Sequence, residues 1–188
     1  MRLAVVACGA VAALALGGCS DSGDSQPSGA GGPATTAGEA LARRAQALVD
    51  VAPSDLGYRL VVAGPRGDGV RGATDTKLRT ITLYVLPGDG AHRVAHDLAH
   101  EIGHAYDDRR LTEDEREDWL RVRGAPRARW FPGGPASDYD TGAGDFAEVF
   151  ARCHAASPEF RSRLGPRPAD ACSLLPAGAR ADRLKRPA

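Results

Sequence analysis

Lysine is nearly absent from this chain. Lys77 and Lys185 are its only two in 188 residues, and arginine supplies the rest of the 24 basic side chains. Those 24 are matched by 24 acids, for a formal net charge of zero. A balanced chain lacks the basic footprint that nucleic-acid binding requires, so no nucleic-acid partner is expected. Cysteine is also sparse, with four residues and no CxxC pair of the kind that holds a metal through thiolates. No internal repeat is visible. The one long apolar run, Leu3 to Leu16, is too short and too close to the N-terminus for a stable membrane span.

That run, preceded by Arg2, predicts an export signal over residues 1–19. Its end, "LGGC", resembles a bacterial lipobox, which makes Cys19 the expected lipidation site. The protein is therefore expected outside the cytoplasm, lipid-anchored to the membrane or secreted, with the anchor as its sole membrane contact. Residues 20–38 are small, polar and rich in Gly, Pro and Ser, and they predict a flexible tether. Residues 39–188 hold enough large apolar side chains for one modest core, and a monomer is expected. In an exported domain the remaining cysteines, Cys153 and Cys172, predict a disulfide.

Periodicity places a helix over Gly38 to Ala52 and strands over Tyr58 to Gly64 and Arg79 to Leu86. The two strands are expected to pair within a sheet of two to four. A helix follows from Ala91 to about Asp107, and Thr112 with Glu115 forms a capping box for another that ends at Gly124. A long irregular connection, Ala125 to Gly144, leads to a helix near Asp145 to Ala155. Ser157-Pro158 has the pattern of a further short helix start.

The second helix carries the chemistry. His100-Glu101-Ile102-Gly103-His104 matches HExxH. Residues four apart on a helix lie one turn above each other, so both imidazoles can reach one Zn2+ while Glu101 stands beside it as a general base. His96 extends the stripe, but three ligands from one straight helix would span about 12 Å. His96 is expected to pack or to support a ligand. Asp97, Asp107 and Asp108 read as solvated acids. A catalytic site needs a third protein ligand, and the extended pattern HExxHxxGxxH is not met, because Asp107 and Arg110 stand where Gly and His would be. The candidates are Asp145 and Glu148, three apart on the later helix.

HEIGH, a connection containing "SDY", and a helix reading "DFAEVFA" together resemble the gluzincins, most closely compact secreted bacterial members related to the catalytic domain of anthrax lethal factor. The resemblance spans roughly Leu78 to Cys153. It implies a small α+β zincin-like domain, in which a short antiparallel or mixed sheet packs on the HExxH helix and a third-ligand helix. It implies a zinc-dependent peptidase in which zinc-activated water cleaves a peptide bond with Glu101 as base. It also implies Tyr139 as the oxyanion donor, with Tyr106 as rival, and an extended substrate pairing along Arg79 to Leu86. In the family motif E-x-F-A-[DE] the first acid ligates zinc and the later one braces a histidine. Here the ligand slot is Gly144 and the bracing slot is Glu148. Either Asp145 or Glu148 then ligates, or the site is degenerate and the domain is a surface lipoprotein that binds a partner or metal without catalysis. Substrate preference is expected to lie around Trp130-Phe131.

Overall fold

The computed structural model describes residues 31–133 and 137–181. The expected signal, Cys19 and most of the tether lie outside them. The described residues form an α+β fold of six α-helices and a small mixed sheet.

Helix α1 (Thr36–Gln46) begins earlier than its periodicity suggested, because Thr35 caps it: the Thr35 hydroxyl accepts from the Gly38 N–H at 3.0 Å. Residues 31–38 therefore belong partly to the domain rather than to a tether. Pro33 also bridges to Ala63, and the Gly64 N–H donates to the Gly32 carbonyl. The helix ends sooner than expected, and its chain turns so that Val49 and Val51 enter the core before a 3-10 turn at Pro53–Leu56.

Strands β1 (Arg59–Ala63), β2 (Gly72–Asp75) and β3 (Thr80–Tyr84) form a sheet in the order β1-β3-β2. β3 runs parallel to β1 and antiparallel to β2. The central position goes to the most apolar strand, whose Ile81 and Leu83 are buried. This placement corrects the expectation that the strand over Arg79 to Leu86 pairs with substrate, since both its edges are occupied. The edge strand opposite β1 is β2, four residues in the segment between the two expected strands.

Two helices form the structural centre. Helix α2 (Ala91–Arg110) is buried almost continuously from Val94 to Asp107 and crosses α4 (Gly142–His154), which carries Phe146 and Phe150 into the core. Gly103 lets these helices approach closely, since a Cβ there would lie 2.8 Å from the Ala147 Cα. Between them in sequence comes α3 (Glu113–Val122), started by the expected Thr112–Glu115 capping box. Trp119 of α3 packs edge-on against Phe146 with ring centres 5.1 Å apart.

No helix follows Ser157. Its hydroxyl accepts from the Glu159 N–H in a local turn, and the chain runs irregularly to α5 (Ala171–Leu174) and α6 (Ala177–Ala181). Cys153 and Cys172 form the expected disulfide, which ties α5 to the end of α4.

Candidate metal centre

Helical spacing brings His100 and His104 to one side of α2, where their Nε2 atoms lie 3.2 Å apart. Facing both is the Oδ2 of Asp138, at 3.0 Å from His100 Nε2 and 3.1 Å from His104 Nε2. Asp138 opens a 3-10 turn, Asp138–Asp140, immediately before α4. Two imidazole nitrogens and one carboxylate oxygen thus converge on a point, which is the donor set of a three-ligand divalent metal site.

The other side of His100 is held from α4. Glu148, wholly buried, places Oε1 3.0 Å from His100 Nδ1 and 3.1 Å from His96 Nε2, and its Oε2 accepts the Arg161 N–H. An ionised carboxylate accepts only, so Nδ1 of His100 carries a proton toward Glu148, and a cation at Nε2 would take the place of the proton that Nε2 offers to Asp138. Burial works against charge on this cluster, yet the hydrogen bonds outweigh it. Asp138 and Glu148 hold His100 well above the ordinary histidine pKa. Burial raises the Asp138 and Glu148 carboxyls, but the two histidines each meets hold both well below the usual carboxylate range. Two carboxylates set on adjacent imidazoles favour positive charge, and the residues present could hold a metal ion.

Neither acid named from sequence as third ligand stands in that role. Asp145 is wholly buried on another side of α4. Its carboxylate accepts from Arg123 Nε at 2.7 Å and Nη2 at 3.0 Å, from Trp119 Nε1 at 3.0 Å and from the Ser162 hydroxyl. One residue along a helix is a rotation of about 100°, which turns Asp145 away from the face that Gly144 and Glu148 share. Glu148 keeps that face but stands one turn deeper, so it meets Nδ1 of His100 rather than the Nε2 of His100 or His104. Asp138 fills the space above it. Asp138 lies in "SDY", but an acid in the turn before a helix obeys no helical period.

Glu101 lines the same cleft, of about 660 Å3, as His100, His104, Asp138 and Tyr139. Its Oε2 accepts from the Thr74 hydroxyl of β2 at 2.7 Å, so this edge strand and the carboxylate are linked. Tyr139 presents its ring edge to His100, centres 5.6 Å apart, and its hydroxyl accepts from Arg161 Nη1 at 3.1 Å. The rival, Tyr106, packs on Phe146 and Phe150 in the core. Phe131 lines the cleft as an exposed ring, while Trp130 instead donates to Asp107.

The three acids read as solvated are all engaged. Asp97 takes Arg71 and Arg161, Asp107 takes Arg116 and Trp130, and Asp108 accepts from the Tyr58 hydroxyl. Arg161, absent from the sequence reading, joins Asp97, Glu159, Tyr139 and Glu148 from the irregular segment after α4. The Asp97 charge raises its pKa further despite the burial that opposes it.

No family model matches the chain, and no curated protein and no solved structure matches it.

Proposed function

We propose that this protein is an exported zinc-dependent metallopeptidase, with His100, His104 and Asp138 holding the metal and Glu101 acting as general base. The observation that carries this reading is the convergence of three donors in one cleft with a carboxylate that is not among them. Zinc held there supplies Lewis acidity, polarising a carbonyl and acidifying water.

The chain's own groups do the rest. Glu101 receives the proton of the attacking water and delivers it to the leaving amine. Thr74 steadies the carboxylate for both transfers. Tyr139 accepts from Arg161, which leaves its phenolic proton free to donate to the developing oxyanion. An extended peptide adds to the open edge of β2, whose Gly72, Ala73 and Thr74 line the cleft. Phe131 at the rim favours an apolar side chain nearby.

The competing reading, a non-catalytic surface lipoprotein that binds a partner or metal, drew its support from Gly144 in the ligand slot. Asp138 supplies the group that Gly144 lacks, and the argument for a damaged site weakens accordingly.

Elemental analysis of the purified protein tests the proposal, alongside hydrolysis of an unstructured protein such as casein. One zinc per chain is expected. Glu101→Gln should keep that zinc and lose hydrolysis by about 10²–10⁴-fold. A folded protein that takes up no zinc when supplied with it would overturn the reading. Zinc binding with equal hydrolysis by wild type and Glu101→Gln would leave a metal-binding lipoprotein.

A further inference from the structure

We infer that Gly144 is the residue that admits Asp138 to the metal site, so that the third metal-binding group comes from the turn before α4 and not from α4 itself. The inference rests on the metal-site reading above and adds a positioning residue to it.

The argument is steric. A Cβ on Gly144 would lie 2.2 Å from the Asp138 carbonyl oxygen, 2.6 Å from its carbonyl carbon and 2.6 Å from its Oδ2. Two of those three atoms are main chain, which cannot swing aside as the end of a long side chain can. The third is the oxygen that faces both imidazoles. Any side chain at 144 therefore points into the space that the Asp138 turn occupies. Position 144 also lies one helical turn from Glu148, which already touches His100. Residue 144 thus aims at the same point that Asp138 reaches.

The turn has little freedom to withdraw. The Thr141 hydroxyl donates to the Asp138 carbonyl at 2.7 Å, and the Thr141 N–H donates to that same oxygen at 2.9 Å. The Thr141 hydroxyl also accepts from the Gly144 N–H at 3.2 Å, capping α4. One threonine clamps the turn to the first helical turn across the glycine. Local propensity gives no reason for glycine inside the helix, where it is disfavoured. The reason lies in packing: the vacancy at 144 and the carboxylate of 138 are two halves of one arrangement.

A double-mutant cycle on zinc affinity tests this, using the full exported chain and zinc competed against a chromophoric chelator. Asp138→Ala and Gly144→Ala should each weaken zinc binding by at least tenfold. The double variant should bind no worse than Asp138→Ala alone, since the alanine at 144 acts only by expelling Asp138. Wild-type affinity in Asp138→Ala would overturn the metal-site reading itself. A weakened Asp138→Ala beside an unaffected Gly144→Ala would overturn the role of Gly144 alone, as would losses that multiply in the double variant. Should Gly144→Ala fail to fold, Thr141→Ala/Gly144→Ala decides, since it removes the hydroxyl that clamps the Asp138 turn and lets the turn withdraw. It should fold and bind zinc no better than Asp138→Ala, and wild-type affinity, or failure to fold, overturns the inference.

Discussion

Glu148 meets His100 at Nδ1, 3.0 Å away, on the side of the ring opposite Asp138. The contact keeps a proton on Nδ1 and orients the ring, and His96 shares the same carboxylate oxygen. Replacing Glu148 by Gln keeps the shape but removes the charge. Supporting groups of this kind typically contribute 10–100-fold in metal affinity. Glu148→Gln should therefore weaken zinc binding by about that factor while leaving one site per chain. Chelator competition reads this directly, and unchanged affinity would show that Glu148 does not support the ligand.

Asp145 makes the opposite prediction. It forms a buried ion pair with both Nε and Nη2 of Arg123, so removing it leaves a guanidinium uncompensated in the interior. Asp145→Ala should destabilise the fold by about 3–5 kcal/mol, seen in urea unfolding. Any chain that remains folded should still bind one zinc. Loss of zinc with unaltered stability would restore Asp145 as a ligand.

The protonation balance predicts a pH signature. In metal-free protein the depressed Asp138 and Glu148 contribute stability above their unfolded values near 4, and it is lost as pH falls. The raised His100 contributes stability below its unfolded value of about 6.5, and it is lost as pH rises through the folded value. Both contributions are complete only between about pH 4.5 and 6.5. The Tm of chelator-treated protein should accordingly decline from pH 6 toward pH 9. Zinc competes with the protons, so the Tm gap between loaded and stripped protein should widen over the same range. A gap that is constant across that range would contradict histidine ligation.

The Cys153–Cys172 disulfide joins residues 19 apart in sequence and closes the loop between α4 and α5. Chain-entropy arguments put such a crosslink at about 3 kcal/mol. The same loop carries Arg161, whose main-chain N–H donates to Glu148 and whose side chain reaches Tyr139. Reduction, or the pair Cys153→Ser/Cys172→Ser, should lower unfolding stability by about that amount. It should lower hydrolysis more than zinc content. Equal losses of both would place the disulfide's effect on the metal site as a whole.

Some of this was legible in residues alone, and the division has a physical basis. His100 and His104 share a face because four residues make about one helical turn, and Thr112 with Glu115 starts a helix by local hydrogen bonds. Such features depend on neighbours within a few positions. The helices and strands followed from periodicity, and the Cys153–Cys172 pairing from the small number of possible partners. The choice of Asp138 over Asp145 and Glu148 did not. It depends on how far α4 rotates against α2, on the empty space at Gly144, and on Arg123 claiming the carboxylate of Asp145 from another helix. The open edge at β2 likewise arises only when β1 pairs parallel to β3 across a long connection. Sequence by itself determined that two imidazoles and the Glu101 carboxylate would stand together on one helix, because that is short-range geometry. Only the tertiary structure decided which acid stands against the two imidazoles and which strand borders the cleft, because those depend on packing between segments far apart in the chain.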